Sequence, residues 1–236
     1  MGALLGRGAL SGALAGLLTS VVAFFLLEPV LDRAIALEGG GGDGPVSREV
    51  QKLFGLPVGF ALVGLSLGLL FAVAYRVLPS RADDWHRSTG LALGAFLALA
   101  AVPQLRYPAN PPGVGDPETI TTRTSSYLLA VAVGVVVVAG AYAALRALDR
   151  RGVPAAARQS LVVAGSLAVV AVGYALLPDS GDAVEVPATL VWDFRIRSLG
   201  VLALLYASLG AAFGLLSTRA SRVPDAPTDA LVRAAG

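Results

Sequence analysis

Six stretches of this chain run for close to twenty residues without one Asp, Glu, Lys, Arg or His: residues 8–27, 53–75, 88–105, 124–145, 159–177 and 198–218. About 20 apolar residues in a helix cross a bilayer core of roughly 30 Å. No other feature constrains the fold as tightly. The runs are continuously apolar, whereas strands of a membrane barrel alternate over segments of about ten residues. In lipid each backbone group must be satisfied within its own helix. The expected fold is therefore all-α, a polytopic membrane helix bundle of about six transmembrane helices. The third run is the shortest and contains Pro103 near its end, so a bundle of five is the alternative. Charged residues make up 14% of the chain, against about 25% in soluble domains, which excludes an ordinary water-soluble globule.

Residues 1–220 read as one integral membrane domain, and 221–236 as a short cytoplasmic tail expected to be disordered. No connection between runs is long enough for a second folded domain. Arg7 ahead of the first run, and "AIA" at 34–36, superficially suit a cleavable leader. The apolar stretch exceeds the 7–15 residues of such a leader, and Glu28, Asp32 and Arg33 intervene, so the run is read as a span. The N-terminus carries no lipidation motif. The absence of cysteine excludes disulfides and thiolate ligands.

Charge sets the expected orientation. Eleven of the 18 basic residues fall on the tails and the second and fourth connections: Arg7, Arg76, Arg81, Arg87, Arg146, Arg150, Arg151, Arg158, Arg219, Arg222 and Arg233. The other three connections share seven. The positive-inside rule places both termini in the cytoplasm. Eleven of the 16 acidic residues lie on the opposite connections, an outer surface that would concentrate cations. Solvation of loops explains the same bias.

Small residues recur four apart at Gly8, Gly12 and Gly16, at Gly64 and Gly68, and at Gly210 and Gly214. Such stripes let backbones approach closely in lipid, where packing drives association. They predict close helix contacts, within the chain or with another subunit. Three outer connections lead into the next span through a basic residue, in "SREVQKLFG", "TTRTSSYLL" and "DFRIRSLGV". Arg48, Arg123 and Arg195 thus stand in similar places, as three related helical hairpins would have them.

The polar segment "LRYPANPPGVGDPETITTRT" at 105–124 holds the densest punctuation in the chain. Pro108, Pro111 and Pro112 prevent the preceding helix from continuing. "DPET" suits a helix start, with Asp116 as N-cap, Pro117 at the first position and Glu118 in the first turn. Arg106 and Arg123 can snorkel from the interface, and Tyr107 and Tyr127 suit the aromatic belt. A capped, anchored loop accounts for each residue singly; the density of fixed backbone exceeds what a plain connection needs.

The segment "YPANPPGVGDPETITTRTSSY", which includes Tyr107, Asn110, Asp116 and Arg123, resembles the signature of the CbtA family of cobalt transporter subunits. "EPVLDRAI" at 28–35, "VSREVQ" at 46–51 and "PATLVWDFRIRSLG" at 187–200, with Arg195, are similar to its other marked stretches in the same order. The resemblance covers nearly the whole chain. It implies an integral subunit of a cobalt or other divalent-cation uptake transporter in the bacterial plasma membrane. It also implies a small single-span, histidine-bearing CbtB-like companion. The family is usually described with five spans, whereas six runs are counted here.

Cobalt(II) takes imidazole, carboxylate, carbonyl or sulfur ligands, but this chain has no Cys, one His and one Met, the initiator. His86, in "DDWHR", reads as part of a solvated inner loop. An outer metal contact must therefore use oxygen, with Glu28, Asp116, Glu118 and Asp193 as candidates. Glu28 leads because it ends an uncharged span just before Pro29, although Asp193 and Arg195 could pair with each other instead. No permanently bound cofactor and no nucleic-acid partner is expected, and the GxxxxGK[ST] pattern of nucleotide binding is absent. The competing readings are a noncatalytic membrane scaffold and an interfacial enzyme; the latter lacks any Ser–His or HExxH arrangement.

Overall fold

The computed structural model describes residues 1–37, 46–112, 114, 119–179 and 186–222. Every regular element among them is helical: α1 Gly2–Leu26, α2 Glu28–Leu37, α3 Arg48–Val77, α4 Asp84–Arg106, α5 Ile120–Arg150, α6 Ala155–Leu176 and α7 Ala188–Arg222. All but α2 are long and apolar enough to cross a membrane. The short third run is long enough for a full span, because its 23-residue helix rises about 34 Å at 1.5 Å per residue.

Pro103 does not end α4. A π-helical turn over Leu97–Ala101 precedes it, with the Val102 N–H bonded to the Leu97 carbonyl five residues back. Proline removes a helical donor and crowds the carbonyl four residues earlier. That carbonyl, on Leu99, accepts the Tyr127 hydroxyl from α5 at 3.4 Å, and the Val102 carbonyl accepts the Tyr174 hydroxyl from α6 at 2.5 Å. Hydroxyls of neighbouring helices thus satisfy backbone groups around the break, as lipid requires. In α3 a second π-helical turn, Gln51–Gly55, likewise comes just before a proline, Pro57.

Side by side, the helices pack in the order α3, α1, α7, α4, α5, α6. α1 and α3 are antiparallel and meet backbone to backbone. A Cβ on Gly8 would overlap the Gly68 carbonyl, one on Gly12 the Gly64 carbonyl, and one on Gly16 the Phe60 carbonyl; Gly64 and Gly68 face the same limit in return. The glycine stripes are thus internal contacts. The third stripe is internal too: Gly210 lies against Ser88 and Ala92, Gly214 against Ser88 and Trp85. Ser88 Oγ donates to the Gly210 carbonyl at 2.9 Å. Ala15, Phe71, Tyr75, Ala92, Leu205 and Phe213 fill the core where α1, α3, α4 and α7 converge.

The α5–α6 pair stands outside that core. It turns at Gly152, whose φ of 71° is the left-handed conformation glycine adopts freely. The Val153 N–H returns to the Leu148 carbonyl at 3.1 Å, the six-to-one bond of a helix C-terminal cap. α5 buries Ser126, Ala130 and Gly134, and α6 buries none of its residues. Of the three hairpins suggested by the sequence, the first packs as a tight pair. α7 does not stay beside α6 but lies between α1 and α4.

Six spans bring both ends of the described chain to the same end of the bundle. There Asp84 accepts the Tyr75 hydroxyl at 2.5 Å and the Ser221 hydroxyl at 2.8 Å, tying α3, α4 and α7 together. His86 is exposed on the first turn of α4, with Nδ1 2.6 Å from Asp83. Hydrogen bonds from the His86 backbone N–H and ring hold the Asp83 carboxyl below its ordinary pKa.

Candidate functional site

The opposite end gathers the polar motifs singled out in the sequence. α1 gives way to α2 at Leu27, and Pro29 sits in the first turn of α2. Val30 and Ala34 pack on Leu190 and Phe194 of α7. That docking draws Glu28 into the protein, where it is only 5% exposed. An unpaired buried carboxylate would be costly; the Arg48 guanidinium, from the start of α3, pairs with it. Arg48 Nε also lies 3.4 Å from Asp32, and Lys52 Nζ lies 2.5 Å from the other Asp32 oxygen. The Lys52 hydrogen bond, helped by the charges of Lys52 and Arg48, holds the Asp32 carboxyl below the usual carboxylate range despite some burial.

Asp193 also stands in an ion-paired set. Arg33 reaches it at 2.9 Å and Arg197 at 3.9 Å, while Arg197 donates to the Leu26 carbonyl at 2.9 Å. Arg195 turns away to donate to the Asn110 side chain at 2.8 Å. The pairing of Asp193 with Arg195 weighed in the sequence is thus replaced by two others. On a helix, residues two apart point to different faces, whereas residues four apart share one.

Asn110 belongs to the proline segment, and its surroundings form a cavity of about 730 Å3. Pro108, Asn110, Pro111 and Pro112 are among its lining residues, as are Gln104, Tyr107, Arg123, Tyr127 and Arg195. Tyr107 and Pro111 are buried, which fixes the segment against the helix ends. The Tyr107 hydroxyl donates to the Pro178 carbonyl at 2.5 Å, and Arg106 reaches the Leu177 and Pro178 carbonyls and Asp179. The segment is thereby anchored to the end of α6. Among the described lining residues the charged side chains are the two arginines. Asp116, Pro117 and Glu118, and with them the expected helix cap, lie outside the described residues, and α5 is described from Ile120.

Glu28, Asn110, Arg195 and Asp193 therefore meet at one end of the bundle through α2, the proline segment and the start of α7. No group of three or more His, Asp or Glu residues suited to a metal ion occurs among the described residues. Glu28 and Asp193, picked out as oxygen donors, each stand beside arginine partners. The sequence marked Arg195 and Asn110 separately but gave no sign that they bond across 85 positions. Arg106 was legible only as an interfacial cation; its hold on the α6 terminus has no local signature.

A family model described as "Probable cobalt transporter subunit (CbtA)" matches residues 1–218 of the chain. No curated protein and no solved structure matches it.

Proposed function

The chain belongs to the CbtA family of probable cobalt transporter subunits, and from that premise we propose that it is the membrane subunit of a cobalt or related divalent-cation uptake system. The family match across nearly the whole chain is the observation that carries this reading. The protein sits in the bacterial plasma membrane with both termini in the cytoplasm. The cation arrives at the end bearing Glu28 and Asp193, with Asp116 and Glu118 adding negative charge there. Capture and selectivity come from a small histidine-bearing companion chain, since oxygen donors discriminate weakly among divalent cations. Glu28 takes a cation only by giving up Arg48, so occupancy and release are coupled to that ion pair. The chain itself performs no chemical reaction.

One observation favours a scaffold as the second reading: Glu28 and Asp193 already hold arginines. Cobalt accumulation in cells expressing the chain alone, with its companion, or neither separates the two. Uptake requiring both chains is expected, falling several-fold in Glu28→Gln at unchanged membrane abundance and little in Asp179→Asn. Full uptake in Glu28→Gln removes the carboxylate from the entrance. No accumulation of any divalent metal by the intact pair leaves the scaffold.

A further inference from the structure

At the end of the bundle opposite the proline cavity, the α3–α4 connection meets the C-terminal part of α5. Tyr142, Arg146 and Arg150 follow one another at intervals of four, so they share one face of α5. The Tyr142 hydroxyl donates to the Pro79 carbonyl and ties the connection to that face. Arg146 donates to the Tyr142 oxygen at 3.2 Å and lies 5.5 Å from the ring centroid. The result is a groove of about 220 Å3 lined by Pro79, Ser80, Arg81, Tyr142, Arg146, Asp149 and Arg150.

The charge of this groove is unbalanced. Its one carboxylate, Asp149, is paired with Arg158 from the start of α6. Among the described residues no carboxylate pairs with Arg81, Arg146 or Arg150, and all three are exposed. Guanidinium groups match phosphate oxygens in geometry and charge. The groove is smaller than the roughly 300–1,000 Å3 of sites that enclose a whole small molecule. It suits a headgroup whose remainder lies elsewhere. Toward the bilayer, the face of α5 that carries Tyr142 continues through Val135, seven residues earlier, and Val135 is 46% exposed.

We propose that this groove is a binding site for the phosphodiester headgroup of an anionic phospholipid, with Arg81, Arg146 and Arg150 as its cations and the acyl chains along α5. Basic pockets at helix ends hold anionic headgroups in this way. A basic excess set only by insertion topology would make every exposed arginine at this end equivalent, and the test uses that difference.

Purified, delipidated full-length protein in neutral detergent is titrated with dioleoyl phosphatidylglycerol and, separately, dioleoyl phosphatidylcholine. Bound lipid is counted by native mass spectrometry. The wild type is expected to prefer phosphatidylglycerol by on the order of tenfold, given the affinity each basic side chain adds at an anionic surface. The triple variant Arg81→Gln, Arg146→Gln, Arg150→Gln is expected to lose that preference. A charge-matched variant outside the groove, Arg76→Gln, Arg151→Gln, Arg219→Gln, is expected to keep it. Circular dichroism confirms that both variants are folded, as exposed substitutions should be. A groove variant that retains the preference overturns the site, as does a control that loses it equally. Displacement of the lipid by inorganic phosphate alone would also overturn it, identifying a free-phosphate site instead.

Discussion

The α1–α3 pair and the α5–α6 pair are both antiparallel couples of long apolar helices, but they are joined by opposite means. α1 presents Gly8, Gly12 and Gly16 to Gly68, Gly64 and Phe60, so close that no side chain fits between. α6 carries Gly165 with open space around it, and its closest glycine contact is Gly173 against the Val133 side chain. The first pair gains dispersion contacts along two backbones, and its geometry suits Cα–H···O contacts of the kind found at helix interfaces. The second meets side chain to side chain and leaves its outer faces free. In lipid, apolarity alone does not drive helices together. Equal hydropathy therefore says nothing about which pair is the firm one; the size of the contacting residues does.

The sharpest way to break this contrast is to add volume to each pair. Gly12→Val forces α1 away from the Gly64 carbonyl; overpacking costs about 1–3 kcal/mol and more where backbone must move. Thermal unfolding in detergent should fall steeply or show no folded protein. Gly165→Val, in open space, should stay within about 0.5 kcal/mol of wild type. Equal losses in the two variants would show that α6 is packed as tightly as α1.

A smaller effect separates the ion pairs that fasten α2 from those at the α6 terminus. Arg48→Ala leaves Glu28 buried without its partner. Loss of a fully buried partner costs about 3–5 kcal/mol, and the one-third exposure of Arg48 reduces this to about 2–3 kcal/mol. Asp179, almost wholly exposed beside Arg106, should contribute less than about 0.5 kcal/mol when replaced by Ala. Denaturation in matched detergent ranks them, and an Arg48 variant as stable as the Asp179 variant would mean that water reaches Glu28.

The smallest effect is acid sensitivity. The folded-state pKa of Asp32 lies below its ordinary value, so its contribution is complete above the unfolded pKa of about 3.9. It fades as pH falls through the lower folded value. From pH 7 down to about 5 the gap between wild type and Asp32→Asn should therefore stay constant. Below about pH 4 the wild type should lose stability that Asp32→Asn already lacks. Convergence of the two curves well above pH 5 would contradict the ion-paired geometry.

Much of the architecture was legible because the evidence for it is local. The uncharged runs marked six spans, the glycine intervals marked close approaches, and the proline segment marked an ordered connection. α4 tested this reading most severely: Pro103 suggested an early end. The compensation came from hydroxyls on Tyr127 and Tyr174, well beyond any local window. The end that gathers the polar motifs was legible in part. Glu28, Asn110, Asp193 and Arg195 stood out as polar residues in apolar company, but their partners did not. Arg33 with Asp193 and Arg195 with Asn110 are separated by 160 and 85 positions. Either arginine could as well have faced headgroups.

The sequence by itself determined that the chain is helical and that it carries six apolar runs long enough to cross a membrane, with the approximate place of each. Lipid offers no hydrogen bonds, so each span must satisfy its backbone within itself, and that demand is written residue by residue. Only the tertiary structure decided that α7 leaves α6 to lie between α1 and α4, that the glycine stripes face inward, and that arginines pair with Glu28 and Asp193. Those outcomes depend on shape and on charges brought together from distant positions, and an apolar run carries no record of which neighbour it will meet.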